Sequence, residues 1–582
     1  MSTLQDWVYN VEAGPIRLWL VRIALFLILA GLAAWIGIRE FNGLRTAETM
    51  DLAQQARQLA TGQGFTTKFI RPLALWQLRS KMGNDAPPVS AFPETLSAPL
   101  YPILLGACFK VGQMASLVKF NLSADDVKGF RIYPADYLVL GLNVLFLLGA
   151  SFSVYGWAAR QFDIGTGVLA VVFFLGSASV WDQAVGGGLS LCIIFIYALS
   201  AYLLFRGCQQ GESLEEGGTR EGGGLWVGLA GLVFGLTPLV QMIQIWPVLA
   251  FFCFGLYFLK QGRGWLLLGA GVGVTLFLVW MGRLWGLTGN PLGLNWAYFL
   301  SDSPNYPGDL VWRTYSFDMD KTDVWRRVGG SVLRGLTSLV SQGPALCGSA
   351  VAGTLALVAM MHGFRKSSAS QGRNLWGVTL LALFLATAFI YRGNESKGSP
   401  LLLVSLPVAC VYGSAYLWII IERWKLQVDL LGKIFAILVA LLACWPTLSR
   451  LALPEPGPFN YPPTYPPIFL YIRSWFESGE LQASDLPAAE AWYTDQPTLW
   501  IPSTREDFLK IHDRVTPVFS ILFTPASSDV KMYSQMMAEN SEWSAWVDLI
   551  RRQKPPDLPQ AFATSLPPNN DYLLLSLQKR WN

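Results

Sequence analysis

The chain has 582 residues, of which 52% are hydrophobic and only 14% carry a charged side chain, whereas about 25% charged residues is typical of a soluble domain. This shortage of charge excludes a soluble protein of several domains, because each domain would need a charged surface, and it favours a protein whose main solvent is lipid. The net charge of +4 is too small and too dispersed to indicate binding to nucleic acid.

Twelve apolar segments follow one another along the first three quarters of the chain, and we interpret most of them as transmembrane helices. They cover residues 18–38, 98–117, 136–157, 165–183, 188–206, 225–243, 246–260, 265–284, 343–364, 375–391, 400–421 and 427–447. Charged residues rather than a small-residue cleavage site follow the first segment, which indicates a signal anchor that stays in the protein. The predicted fold is a polytopic α-helical membrane protein with about 11 to 13 transmembrane helices.

The loops that carry Lys or Arg predict the orientation of these helices. If residues after 448 lie outside the cytoplasm, the basic loops 207–224, 260–263, 365–366 and 422–425 all lie inside. The same count places residues 40–97 inside, although the first segment should deliver them outside, so one candidate does not span. The exception is either 98–117, whose prolines suit a re-entrant segment, or 246–260, which is shorter than the about 20 residues needed.

These segments divide the chain into a transmembrane domain, residues 1–447, and a small extracytoplasmic domain, residues 448–582. The first of these has two large outside loops, 40–97 and 285–342. In the second, short apolar runs alternate with more polar, helix-like stretches, which is typical of an α/β domain. The apolar runs are 498–501, 518–523 and 572–577, and the helix-like stretches are 468–477, 505–512 and 530–553.

Metal chemistry based on nitrogen or sulfur ligands has little support in the sequence. The two histidines, His362 and His512, and the seven cysteines show no metal-binding spacing. No cofactor is therefore predicted with certainty, although a divalent cation held by carboxylates stays open.

The first outside loop begins with a run rich in Ala, Leu and Gln that predicts a helix ending near Gly62. Glu48, Asp51 and Gln55 occupy positions i, i+3 and i+7 of this run, so two carboxylates and an amide share one helix face. The alternative interpretation of the spacing is an ordinary interfacial helix whose acids face water.

The end of this run, ARQLATGQGF at residues 56–65, resembles a motif of the GT-C class of membrane glycosyltransferases. In that class, which includes protein mannosyltransferases and lipid A aminoarabinose transferases, the first outside loop carries an acid and then "A-R-x-L-x-x-G-x-G-[FY]". The Pro-rich stretch LSAPLYP at residues 96–102 is similar to the start of the next membrane segment in those proteins. The resemblance covers roughly residues 18–206 and, more weakly, the remaining helices.

The resemblance implies an inverting transfer of a sugar from a polyprenyl-phosphate donor to an extracytoplasmic glycan, lipid or protein acceptor. Counting back from Ala56, the catalytic acid of the class falls on Glu48, although the class uses aspartate and has an aromatic residue where this chain has Leu52. Asp51 is therefore the alternative. Such a carboxylate would act as a general base on the acceptor hydroxyl.

The leaving phosphate of such a reaction requires cations, for which bidentate arginine contacts are the strongest. Candidate donor-phosphate ligands in the first loop are Arg57, Lys68 and Arg71. The alternative role of Lys68 and Arg71 is attraction to lipid headgroups at the membrane surface. Arg313 in the second large loop and Arg392 at a helix end are further candidates, although a plain interfacial anchor also explains Arg392.

Asp182 lies between two apolar segments, where a charge is costly and usually functional. It is similar in position to an acid at the outer end of a span in GT-C relatives, which implies a second catalytic or donor-side acid. An N-cap of the next helix is the alternative.

The stretch AWYTDQPTLWIP at residues 491–502 is similar to "aWYxdRpxxwlP" in the periplasmic tails of bacterial members of the class. The sequence thus indicates a multi-pass glycosyltransferase of the bacterial inner membrane with its C-terminal domain outside. The competing hypothesis is a non-catalytic protein on the same scaffold, a transporter or an assembly subunit. Transporters usually show internal hydropathy repeats, and none is evident here.

Overall fold

A computed structural model of the protein describes residues 15–120, 132–215, 223–258, 262–301, 308–316, 348–390, 401–424, 429–452, 466–525, 544–550, 557–566 and 572–581, with short runs or single residues between 306 and 340 and at 553. The helices before the tail are α1 (Pro15–Glu40), α2 (Ala47–Ala60), α3 (Pro72–Met82), α4 (Leu100–Met114), α5 (Pro134–Gln161), α6 (Ile164–Leu175), α7 (Ala178–Gly186), α8 (Ser190–Glu215), α9 (Gly223–Gly235), α10 (Ile245–Phe258), α11 (Arg263–Thr288), α12 (Ala350–Met361), α13 (Ser367–Ile390), α14 (Leu406–Arg423) and α15 (Asp429–Ala452).

Five helical segments of the described chain are long and apolar enough to cross a membrane: Pro134–Gln161, Ser190–Cys208, Arg263–Thr288, Leu401–Arg423 and Leu431–Ala452. Helices α6 and α7 make a sixth candidate if they count as one span, bent by 59°. The sequence predicted a single apolar segment at 165–183. The bend lies beside Gly176, where a Cβ atom would lie only 2.4 Å from Sγ of Cys444, so the close approach of α15 coincides with the break. The chain is a multi-pass membrane protein.

Glycines allow the backbones of neighbouring helices to touch, as is common between helices in membranes. At Gly269 of α11 a Cβ atom would lie 2.1 Å from the backbone oxygen of Gly228 in α9. One turn further, a Cβ atom at Gly273 would lie 2.7 Å from the carbonyl carbon of Gly235. Helices α9 and α11 therefore form one of the tightest contacts of the bundle.

The tail is a small α/β domain, as the sequence predicted. It contains α16 (Pro466–Trp475), β2 (Leu481–Ser484), α17 (Pro487–Thr494), β3 (Thr498–Trp500), α18 (Arg505–Arg514), β4 (Val518–Phe523), α19 (Val547–Ile550), β5 (Phe562–Leu566) and β6 (Tyr572–Ser576). Strands β3, β4 and β6 match predicted apolar runs, whereas β2 and β5 were not predicted. Most of the predicted helical stretch 530–553 lies outside the described residues.

The sheet of the tail contains a strand from the first loop. Residues Phe69–Ile70 form β1, and the strand order is β1-β3-β2-β4-β6-β5. Strand β1 pairs parallel to β3, with Phe69 opposite Thr498 and Ile70 opposite Leu499. The first loop and the tail therefore lie on the same side of the helical bundle, which we call the tail side.

Helix α4 lies along the tail side of the bundle and does not cross it. The Tyr101 hydroxyl donates to the carbonyl of Gly187, just after α7, at 3.1 Å. Further along α4, the Phe109 ring stacks on Trp492 of the tail with 5.8 Å between centroids. A Cβ atom at Gly112, near the other end, would meet Leu138 in the first turns of α5. Of the two predicted exceptions, these contacts favour segment 98–117 over segment 246–260 as the one that does not span.

Candidate functional site

Helix α2 carries the predicted acids and connects the bundle to the tail. Its N-cap is Thr46, whose hydroxyl oxygen accepts a hydrogen bond from the backbone N–H of Thr49. Gly62 follows the C-terminal end with φ of +81°, a left-handed conformation that glycine adopts without strain. Nearly every residue from Thr49 to Ala60 is buried, whereas Glu48 in the first turn is exposed. The two acids of the shared face therefore have different environments.

Asp51 is buried and forms an ion pair with Arg71. Its Oδ2 lies 2.6 Å from Nη2 of Arg71, and its Oδ1 accepts from the amide groups of Gln54 and Gln55, each at 2.9 Å. The Arg71 guanidinium also lies over the ring of Phe69, 4.0 Å from its centroid. Burial opposes the charge on Arg71, but Asp51 and Glu94 outweigh it and raise the pKa of Arg71.

Glu94 is a second buried acid of the site, and the sequence did not point to it. Its Oε1 accepts from the backbone N–H groups of Leu96 and Ser97 at 2.6 and 3.0 Å. Its Oε2 lies 2.9 Å from Nε2 of Gln55, which connects it to Asp51. Burial, followed by the charge of Asp51, raises the pKa of Glu94 above the usual range of a glutamate. The only sequence signal was an acid just before the Pro-rich stretch.

Arg283 of α11 fixes the loop that carries Glu94. Its guanidinium donates to the backbone oxygen of Glu94 at 2.9 Å and to that of Phe65 at 3.2 Å. Phe65 ends the family-like motif, and its ring packs edge-on against Trp280 with 5.1 Å between centroids. The last residue of the motif therefore packs against α11, a contact that sequence spacing could not reveal.

Glu48 interacts electrostatically with two tyrosines from other elements. Its charge acts on the hydroxyl groups of Tyr101 in α4 and Tyr298 in the second large loop. Burial, and then the charge of Glu48, raise the pKa of Tyr298 above its usual range. Tyr298 thus keeps its proton and stays a hydrogen-bond donor beside an exposed carboxylate.

Arg57 and Lys68 lie at a different place from Arg71, against the tail. The Arg57 guanidinium donates to the carbonyls of Trp492 and Ala491 at 2.7 and 2.8 Å. Arg57 and Lys68 both pair with Asp495, at 2.9 and 2.8 Å. Burial opposes ionisation of Asp495, but Arg57 and Lys68 outweigh it and lower the pKa of Asp495. In this structure the two cations attach the first loop to the tail, and phosphate binding by either stays a prediction.

The remaining predicted residues do not join the acid cluster. Asp182 pairs with Arg450 at 2.5 Å, and Arg450 also contacts Glu40 at the end of α1. Arg313 is fully buried and donates from Nε to the carbonyl of Ile501 at 2.7 Å. Arg392 lies outside the described residues. Asp182 as a second acid, and Arg313 and Arg392 as phosphate ligands, stay predictions.

A cation at the acid cluster would share the site with Arg71. Among the residues that the structure describes, no group of three or more His, Cys, Asp or Glu side chains is arranged to hold a metal ion. Asp51 and Glu94 are two carboxylates connected by Gln55, and the guanidinium of Arg71 already supplies positive charge to both.

Sequence comparison gives no relative, since neither a protein-family model nor a curated protein matches the chain. Solved structures do match. ArnT from Cupriavidus metallidurans bound to undecaprenyl phosphate is similar over 95% of this chain and 98% of that one, with 11% identity and a TM-score of 0.52.

The archaeal oligosaccharyltransferase AglB from Archaeoglobus fulgidus, in complex with an inhibitory peptide and a dolichol-phosphate, is similar over 91% of this chain and 72% of that one, with 10% identity and a TM-score of 0.55. A complex of the same oligosaccharyltransferase with Zn and sulfate has 11% identity and the same TM-score, 0.55, over 89% of this chain and 70% of that one. The likeness covers the membrane helices and the tail together. The chain is a multi-pass membrane protein with a GT-C-like fold.

Proposed function

We propose that this protein is a membrane glycosyltransferase that transfers a sugar, with inversion, from a polyprenyl-phosphate donor to an extracytoplasmic acceptor. The observation that carries the proposal is the exposed carboxylate of Glu48 at the start of α2, one turn from the buried Asp51–Arg71 pair. The GT-C-like fold supports it, because two structures with this fold hold undecaprenyl phosphate and dolichol-phosphate.

Glu48 is the general base in this proposal. A base must reach the proton that it removes, and Glu48 is exposed whereas Asp51 is only 4% exposed. Both oxygens of Asp51 are already engaged, one by Arg71 and the other by two glutamines. Using Asp51 as the base would require breaking a buried ion pair, which is costly. The role of Asp51 is to hold Arg71.

The reaction balances with groups of this chain. The acceptor hydroxyl oxygen bonds to the anomeric carbon, its proton passes to the carboxylate of Glu48, and the bond between the anomeric carbon and the phosphate oxygen breaks. The phosphate leaves on the polyprenyl chain. Arg71 compensates its charge, and the protonated Tyr298 donates a hydrogen bond to it. The acceptor is a hydroxyl of a glycan, lipid or protein.

The proposed location is the bacterial inner membrane, with the tail side outside the cytoplasm. The tail resembles the periplasmic tails of bacterial GT-C members. Along the chain, the basic loops alternate with the segments on the tail side, as the positive-inside bias requires when the tail is outside. The donors that the resemblance implies are polyprenyl-phosphate sugars.

The proposal is tested by turnover in proteoliposomes that contain polyprenyl-phosphate-linked sugars, with release of polyprenyl phosphate followed by mass spectrometry. Replacing a general base typically costs roughly 10² to 10⁴ in rate, so we expect this loss for Glu48→Gln. The matched control is Glu422→Gln, an exposed acid at the end of α14, which should keep wild-type turnover. Near-wild-type turnover of Glu48→Gln would eliminate Glu48 as the base, and absence of turnover by the wild type with every donor would favour the non-catalytic scaffold.

A further inference from the structure

We propose that the protein has a site for an anionic membrane phospholipid between α2, α4 and the tail, separate from the acid cluster. The headgroup occupies a polar cavity beside Lys68 and Lys119, and an acyl chain lies in the adjoining groove between α2 and α4. The proposal does not depend on the glycosyltransferase function.

The polar cavity has a volume of about 620 Å³, within the usual range of ligand sites in proteins. It is formed by the end of α2, the residues after α4 and the tail. The basic residues that line it are Arg57, Lys68 and Lys119, whereas Asp495 is the one carboxylate among the described lining residues. Because Asp495 already pairs with Arg57 and Lys68, no carboxylate among the described lining residues is left to compensate the charge of Lys119.

An apolar groove of about 370 Å³ adjoins this cavity, and both are lined by Thr61. Its walls are the last turn of α2 and one face of α4, including Leu59, Ile103 and Ala107. The groove exists because Gly106 lets the two backbones approach: a Cβ atom there would lie 3.0 Å from the backbone oxygen of Ala56. Lys110 lies on its edge, one turn of α4 before Gln113 of the cavity.

The face of α4 that continues from the groove is apolar and exposed. Val111 and Met114 of α4 and Leu117 just after it are 65%, 79% and 67% exposed, although α4 lies along the tail side of a membrane protein. Such a helix is stable when its apolar face is in the membrane interface and its lysines are at headgroup level. The groove therefore opens towards lipid, and the cavity towards the headgroup region.

Charge and shape together select the occupant. Basic side chains at this level attract anionic headgroups, and an apolar groove beside them accommodates a hydrocarbon chain rather than a free anion. The site is also distinct from the proposed catalytic centre, because Thr61 lies roughly 20 Å along the α2 axis from Glu48. A phospholipid here would hold α4 against α2 without contacting the reacting groups.

The test is native mass spectrometry of the full-length protein with three additives in parallel. Phosphatidylglycerol supplies charge and chains, phosphatidylcholine with the same chains lacks net charge, and inorganic phosphate lacks chains. We expect the wild type to retain phosphatidylglycerol in preference to phosphatidylcholine, and millimolar phosphate to leave this retention unchanged. Equal retention of the two lipids would overturn the proposal.

Two sets of variants make the test specific. Lys110→Gln with Lys119→Gln should weaken phosphatidylglycerol binding roughly 10- to 30-fold, and Ala107→Trp, which fills the groove, should also weaken it. The matched control is Lys81→Gln with Lys433→Gln, which removes two exposed lysines elsewhere and should bind like the wild type. The proposal is overturned if Lys110→Gln with Lys119→Gln binds phosphatidylglycerol as the wild type does. It is also overturned if phosphate displaces phosphatidylglycerol and Ala107→Trp does not weaken its binding. Thermal unfolding midpoints of all variants establish that each is folded.

Discussion

Arg71 pairs with Asp51 in the structure and, in the proposed reaction, also binds the donor phosphate. Its guanidinium pairs with Asp51 and lies on the ring of Phe69, and both contacts use the flat shape of the group. Lysine would keep the charge at this place but would lose the stacking and the fork-like donation. The substitution Arg71→Lys therefore tests the importance of the guanidinium geometry while it keeps the positive charge.

We expect Arg71→Lys to lower the affinity for polyprenyl phosphate by roughly tenfold, because a bidentate contact becomes a single one. Binding of the purified protein to labelled polyprenyl phosphate measures this, with Lys81→Arg in the helix that follows Arg71 as the control. Unchanged affinity together with a lower unfolding temperature would show that Arg71 only holds Asp51 in place.

Glu490 is the residue that should make the stability of the tail depend on pH. It is fully buried in α17, and burial raises its pKa to about 8. The unfolded chain has a glutamate pKa of about 4.3, so the folded state binds the proton more tightly. The stability of the tail is therefore greatest below about pH 4.3 and falls as the pH rises from there towards 8, by up to about 1.4 kcal/mol per pH unit.

The variant Glu490→Gln carries no charge and should lack this loss. Thermal unfolding between pH 5 and 9 should show a falling midpoint for the wild type and a flatter curve for Glu490→Gln. The control Glu506→Gln changes an exposed acid and should keep the wild-type slope. Parallel curves for the wild type and Glu490→Gln would contradict the buried, protonated state.

The acids of the site show which features of the site residue spacing predicts and which it does not. The run rich in Ala, Leu and Gln correctly predicted a helix, but the i, i+3, i+7 spacing of Glu48, Asp51 and Gln55 did not reveal that Asp51 is buried and Glu48 is not. That difference arises from Arg71 and Glu94, which lie 20 and 39 residues from their partners in the cluster. Such distant contacts leave no periodic signal, and the position of Glu94 just before the Pro-rich stretch did not reveal its partners.

At the scale of elements, the contact between α2 and α17 connects the membrane domain to the tail. Arg57 donates to two carbonyls of α17 and pairs with Asp495 just after it. A second connection is made by Asp136 of α5, which accepts from the indole N–H of Trp492 at 2.9 Å. Both connections are buried, so each contributes more than a surface ion pair would.

We expect Arg57→Lys to lower the stability of the tail by about 2 to 3 kcal/mol, because one ammonium group cannot reach both carbonyls and Asp495. Limited proteolysis of the tail and its unfolding midpoint measure this, with Arg514→Lys at the exposed end of α18 as the control. An unchanged cleavage rate would mean that Asp136 and the sheet hold the tail without Arg57.

For physical reasons, the sequence left the placement of α4 open between two candidate segments and did not reveal strand β1. Helix α4 is apolar, but its 15 residues are too few for a span, and apolar composition alone does not distinguish a helix that crosses a membrane from one that lies along it. Strand β1 has two residues, too few for any alternating pattern. Only its pairing with β3 makes it a strand.

At the scale of the whole molecule, the shared sheet determines which segments lie on one side of the membrane. Residues 69–70 and 498–499 pair within it, so loop and tail cannot be separated by lipid. The basic-loop count from sequence agrees with this once 98–117 is removed from the spans.

We expect membrane-impermeant thiol reagents to label Ser90→Cys and Ser503→Cys from the same side of sealed cells or vesicles. Ser367→Cys, at the start of α13 and next to the loop 365–366 that is predicted to be cytoplasmic, should react only after the membrane is opened. The wild type provides the background from its own cysteines. Labelling of Ser90→Cys and Ser503→Cys from opposite sides would contradict the architecture.

The pairing of β1 with β3 also has a consequence for biosynthesis. Arg57 and its acceptor Ala491 are 434 residues apart, and a ribosome adds roughly 5 to 20 residues per second. In the proposed orientation the first loop is exported first and waits for roughly 20 to 90 s before the strand that completes it has been translated. During this time Arg57, Lys68 and the edge of β1 are without the tail. A chaperone on the outer side of the membrane would have its longest opportunity to bind here, before the last quarter of the chain arrives.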